Sequence, residues 1–167
     1  MAHPNIYTSE FEYDPEDPPG YRGGMVHLTK ATGGSELAVK AFDLTAGEAL
    51  CPFHFEFVEE WLLLVSGELE LRTPAGTERL ATGATVCFAA GPDGAHKVSN
   101  PGPESARFVM FSSAREPSVA VYPDSGKVGV WVPGMDFIFC EADGKVPYYS
   151  GETDRLEAHL DRQSQDT

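Results

Sequence analysis

Three cysteines, Cys51, Cys87 and Cys140, are too few and too widely spaced to make a disulfide framework. Their odd number fits a reducing cytosol instead. Basic residues are scarce as well. Twelve Lys and Arg stand against 26 Asp and Glu, a formal net charge of −14 at pH 7. Such a surface repels phosphate backbones and anionic lipid headgroups, and no local Lys/Arg cluster offsets it, so nucleic acid is a poor partner. Long apolar runs are also missing. The longest, Trp61 to Val65, is far too short to cross a bilayer. The opening Met-Ala-His-Pro-Asn lacks the basic-then-apolar order of a signal peptide. These absences together predict a cytoplasmic protein with neither nucleic-acid nor membrane partners.

What is present is turn chemistry. Seventeen Gly and thirteen Pro in 167 residues separate short apolar runs, a pattern that favours an all-β chain over a helical bundle. With 41% apolar residues, one packed domain with arms is expected. Residues 1–24 read as an N-terminal arm, because Asp14-Pro-Glu-Asp-Pro-Pro-Gly20 continues neither a helix nor a central strand. Strand-like runs then follow at Met25–Thr29, Leu37–Leu44, Pro52–Phe57, Trp61–Val65, Leu69–Arg72, Thr85–Phe88 and Ala106–Phe111. Their pitch predicts a sandwich or barrel over 25–113. Residues 114–152 read as an extension packed on the barrel or on a partner subunit. In the tail, 153–167, Asp154 and Glu157 suit a capping box, so a short helix or a disordered end is expected.

The chemistry sits in two stretches, Gly47-x6-His54-x-Glu56-x3-Glu60-x6-Gly67 and Gly91-Pro-Asp-Gly-Ala-His96-x3-Asn100. His54 and Glu56, two apart on a strand, project from one face. Glu60 opens the next run, and its same-face successors Leu62 and Leu64 suit a barrel interior. His96 arrives after a glycine-rich turn. Two imidazoles and a carboxylate converging on an apolar cavity suit one divalent transition metal: Fe(II), Mn, Ni, Co or Zn. Metal binding needs neutral imidazoles, so affinity is expected to fall as pH drops through the free-histidine range near ~6.5. His3, His27 and His159 have no partner at ligand spacing, and the parity of Glu59 turns it to solvent.

These stretches resemble the two motifs of the cupin superfamily, G-x5–6-H-x-H-x3–4-E-x6-G and G-x5-P-x-G-x2-H-x3-N. The resemblance implies a double-stranded β-helix, the cupin jelly-roll barrel. It also implies His54, Glu60 and His96 as metal ligands, with Asn100 closing the second motif. Glu56 stands where the second histidine is usual, Ala89 stands in place of a proline, and the second turn is longer by two residues. The order H-x-E-x3-E with a distant His is similar to that of 3-hydroxyanthranilate dioxygenases, although Leu50 and Asn100 occupy the places of their substrate-binding arginines. The tail is similar to that of small bacterial cupins without an assigned reaction.

Glu56 then has two readings, a fourth metal ligand or a base beside an open three-ligand site. The expected function is a metal-dependent cupin acting on a small organic molecule, with a non-haem Fe(II)-type dioxygenase leading. The alternatives are a sugar or sugar-acid isomerase, epimerase or lyase, and a module that binds a metal or metabolite without turnover. Edge strands and the Pro-rich arm favour a homodimer.

Overall fold

The computed structural model describes residues 3–140 and residue 144. A two-residue piece of the arm, β1 (Glu12–Tyr13), pairs with β2 (Gly23–His27). A short helix, α1 (Leu28–Thr32), ends on Gly33 in the left-handed conformation and leads into β3 (Leu37–Leu44). The next strand, β4 (Phe55–Glu56), has only two residues. Tight turns then join β5 (Glu60–Ser66), β6 (Glu68–Thr73), β7 (Gly76–Ala81) and β8 (Thr85–Phe88). A 3-10 turn at Pro92–Gly94 precedes β9 (Lys97–Ser99) and β10 (Ala106–Ser113). Last come β11 (Ser118–Tyr122), β12 (Lys127–Val132) and β13 (Met135–Cys140).

The strands make three antiparallel sheets, ordered β1-β2-β3-β10-β5-β8, β7-β6-β9 and β13-β12-β11-β4. Alternation decides which side chains meet. Leu62 and Leu64 of β5, Phe108 of β10 and Leu44 of β3 face Leu69 and Leu71 of β6 and Val98 of β9, all at most 1% exposed. Each such burial stabilises the fold by about 1.5–3 kcal/mol relative to an exposed side chain. The six- and three-stranded sheets thus close on one core. A second, smaller cluster of Phe53, Phe55 and Ala95, with Val121 against it, lies on the other side of β4.

Two local readings are corrected. Leu28 and Thr29 leave the expected strand for α1, where the Thr29 hydroxyl donates to the Leu37 carbonyl and accepts from the Val39 N–H. The expected run Pro52–Phe57 pairs as a strand only at Phe55–Glu56, since Gly91 and β11 engage just this part. The hairpin partner β7, absent from the sequence reading, covers Leu69 with Leu80. The expected tail segment 153–167 lies outside the described residues. Among the described residues, no helix is long and apolar enough to cross a membrane.

Candidate metal centre

His54 and His96 are joined backbone to backbone. The His54 N–H donates to the His96 carbonyl at 3.0 Å, and the His96 N–H donates to the His54 carbonyl at 2.8 Å. This reciprocal pair sets the two imidazoles side by side, with ring centroids 4.7 Å apart. Each ring is then fixed by a carbonyl two residues upstream. Nδ1 of His54 lies 3.0 Å from the Pro52 oxygen, and Nδ1 of His96 lies 2.9 Å from the Gly94 oxygen. A carbonyl only accepts, so each Nδ1 carries the hydrogen and each Nε2 keeps its lone pair. Phe88 stacks on His96 at 3.6 Å, and Tyr122 stacks on His54 at 5.8 Å.

Glu60 opens β5 in register with Ser112 of β10 and Phe88 of β8. Its Oε2 lies 3.9 Å from Nε2 of His96. One donor atom from each of His54, Glu60 and His96 falls within 4.8 Å of the others. Burial penalises charge here. It pushes His54 below the ordinary imidazole value and His96 down to about 4, against the help of the Gly94 carbonyl. Burial, then the neighbouring Glu56, pushes Glu60 up to about 7. Nε2 of His96 is buried without a hydrogen-bond partner. Two imidazoles pushed toward the neutral form with free lone pairs, beside a buried carboxylate, are what a divalent cation completes. The residues present therefore fit such an ion, and the donor set of two nitrogens and one oxygen suits Fe(II), Mn, Co, Ni or Zn.

Glu56 stands apart from these three. Its strand β4 pairs with β11, and the Ser118 hydroxyl donates to its Oε2 at 3.4 Å. Burial raises its pKa, with the Ser118 hydrogen bond opposing.

No family model matches the sequence, and no curated protein matches it either. Solved structures do. A proposed sugar phosphate isomerase from Acidithiobacillus ferrooxidans matches with a TM-score of 0.75 at 22% identity, over 85% of this chain and 92% of that one. A cupin-superfamily sugar phosphate isomerase from Silicibacter pomeroyi matches at 0.75 and 17% identity, over 86% and 96%. A polyketide cyclase from Streptomyces resistomycificus matches at 0.57 and 17%, over 71% and 83%. The chain has the cupin fold.

In this fold the remaining motif residues have structural work. Asn100, 1% exposed, donates from Nδ2 to the carbonyls of Leu44 and Glu104 and accepts from the Gly102 N–H, so it ties β9 to the end of β3. Gly67 holds φ of +82°, and a Cβ there would stand 2.9 Å from the Ala106 Cα. Glu59 is exposed and accepts from the Trp61 indole at 2.6 Å. His3 and His27 are exposed, and His159 lies outside the described residues. Four residues near the site escaped the sequence reading: Cys51, Phe88 as the platform for His96, Ser118 and Tyr122. The Cys51 sulfur lies 3.5 Å from Nδ1 of His54, and burial with the charges of Glu60 and Glu56 pushes its thiol up to about 12. It stays protonated and offers no thiolate. Only the long-range pairing of β4 with β11 brings Ser118 and Tyr122 in, and no local pattern announces it.

Proposed function

We propose that this cupin is a metal-dependent enzyme that moves a proton on a small hydroxylated molecule, in the class of sugar or sugar-acid isomerases, epimerases and lyases. His54, Glu60 and His96 hold one divalent ion, and Glu56 is the base. The observation that carries this reading is the different placing of the two carboxylates. Glu60 joins the two imidazoles within 4.8 Å, whereas Glu56 is held off by Ser118 on the neighbouring strand. The bound ion supplies Lewis-acid polarisation of a substrate oxygen. The chain supplies the rest. The Pro52 and Gly94 carbonyls fix both tautomers, Phe88 and Tyr122 exclude water from the rings, and the Glu56 carboxylate takes and returns a proton. A base poised by burial toward neutral pH suits that task. The sugar phosphate isomerase names of two neighbours with TM-scores of 0.75 support the same class.

This order reverses the sequence expectation, in which dioxygenase led. What favours a dioxygenase is the pair of histidines with one carboxylate, a donor set that leaves positions open for O₂. The deciding experiment loads the protein with Mn, Fe(II), Co, Ni or Zn and incubates it with aldose phosphates, ketose phosphates and sugar acids in D₂O. Proton NMR should show loss of signal at the carbon beside the carbonyl, with no O₂ uptake. Glu56→Gln should keep its metal and lose exchange by about 10²–10⁴-fold. Oxygen consumption without exchange establishes the dioxygenase reading, and a metal-free Glu56→Gln protein makes Glu56 a ligand.

A further inference from the structure

The inner face of the six-stranded sheet is apolar over Phe42, Phe108, Leu64, Met110 and Leu62 and turns polar at Lys40, Ser112 and Glu60. Across β3, β10 and β5 the residues lie in rows: Phe42, Phe108 and Leu64, then Lys40, Met110 and Leu62, then Ala38, Ser112 and Glu60. Leu62, Leu64 and Phe108 are core residues, with Phe42 and Met110 packed against them, so this face is the interior one. Lys40 shares the row of Leu62 and Met110 and therefore turns inward as well. It is half-buried. Lysine rarely faces a core without a partner.

The register partner of Lys40 on β2 is the exposed His27, whose pKa is lowered by burial and then by the charges of Lys40 and Lys30, and four other cations of the chain are engaged elsewhere. Arg72 pairs with Asp124, Arg107 with Asp43, Lys97 lies over the Tyr21 ring and Lys127 over Tyr122. Among the described residues Lys40 has no ion pair and no hydrogen bond from its ammonium group. It lies two strands over and one row along from Glu60, about 12 Å between Cβ atoms from standard sheet spacings. The lysine charge reaches both carboxylates of the site and opposes their burial. With a divalent ion on the triad, both carboxylates ionised and Lys40 charged, this end of the cavity carries one net positive charge. The protein as a whole carries −14. A local cation of this kind is what draws an anion into an otherwise repelling surface.

We propose that Lys40 is the anion anchor of the cavity, holding the phosphate or carboxylate of a small hydroxylated substrate whose other oxygens face His54, Glu60 and His96. This rests on the metal reading above and narrows its substrate to small anionic polyols.

The test uses the full chain loaded with Co(II), titrated with glycerol 3-phosphate, glycerate and uncharged glycerol. Co(II) visible absorption and the heat of binding report occupancy, and melting temperature reports folding. Both anions should bind at least about tenfold more tightly than glycerol, the worth of one charge-assisted hydrogen bond. Lys40→Met should erase that advantage while keeping Co(II) stoichiometry and the response to glycerol. Lys40→Arg should keep it to within about threefold. Anions that bind no better than glycerol, or equally well to Lys40→Met, overturn the proposal. A wild-type chain that takes up no Co(II) overturns the metal reading instead, and the metal stoichiometry measured before any anion is added separates the two.

Discussion

Which proton competes with the metal ion can be worked out from burial. A free histidine and a free glutamate would place two imidazole protons near pH 6.5 and none on the carboxylate. The folded site inverts this order. His96 is held down to about 4 and His54 below its ordinary value, while Glu60 is held up to about 7. Between pH 7 and 5 His96 is therefore already neutral and His54 is more neutral than a free imidazole, so the main proton the ion must displace is the one on Glu60. The sign follows. Glu60 is half protonated at pH 7 and about 99% protonated at pH 5, so apparent affinity falls roughly 50-fold across that range, about 2.3 kcal/mol.

Because only the folded protein binds the ion, the stabilisation by saturating metal should shrink by the same amount as pH falls. For a chain of this size that is a loss of about 5–9 °C in the melting shift caused by metal. The assay is competition against a chromophoric chelator with Zn or Co(II) from pH 8 to 5, paired with thermal melts with and without EDTA. The slope of log affinity should be one proton per ion, with its break near pH 7. Glu60→Gln should remove the break near pH 7. Glu56→Gln should move the break downward, since the charge of Glu56 helps to raise Glu60. A slope of two protons centred near 6.5 would refute the reasoning and restore the expectation drawn from free histidines.

Three further outcomes are expected. A Cβ at Gly94 collides with the Ala89 carbonyl, and the Gly94 oxygen fixes the His96 ring, so Gly94→Ala should cost about 1–3 kcal/mol and weaken metal binding by about 10–100-fold, read by denaturant melts and chelator competition. Arg107 donates to the carbonyls of Ile6 and Tyr7 and lies against the buried Asp43, so Arg107→Ala should release the arm. Limited proteolysis should then cut faster within residues 3–22 while metal stoichiometry stays the same. Phe108, 1% exposed at the centre of the core, should cost about 3–5 kcal/mol on replacement by Ala.

The site was readable where its geometry is local. The spacing from His54 to Glu60 and the glycine-rich turn before His96 were enough to nominate the three residues that the fold brings within 4.8 Å. The strand parity of Leu62 and Leu64 was also readable, because alternation is itself the physical signal. Leu28–Thr29 misled, since a β-rich dipeptide was overruled by the Thr29 hydroxyl bonding across to Leu37 and Val39. Lys40 lies in the run Leu37–Leu44, and nothing local to it signals its direction. Only the register against Met110 and Leu62 shows that it faces inward. Phe88 looked like generic core, although it is the ring on which His96 rests.

The substitution of glutamate for the usual second histidine makes sense only together with the C-terminal strands. Strand β4 is two residues long and too short to hold its own place in a sheet. The run that leads through it serves two layers, Phe53 and Phe55 packing with Ala95 while His54 meets Glu60 and His96. What steadies it is β11, which pairs Ala120 with Glu56 and Val121 with Phe55. The same strand carries Ser118 to the Glu56 carboxylate and Tyr122 to the His54 ring. The carboxylate at position 56 accepts from the Ser118 hydroxyl, which on the proposed reading keeps it as a base beside the ion. The residue in the first motif and the strand sixty residues downstream are thus one device, and a chain cut before Ser118 should lose the role of Glu56 even if His54, Glu60 and His96 stay in place.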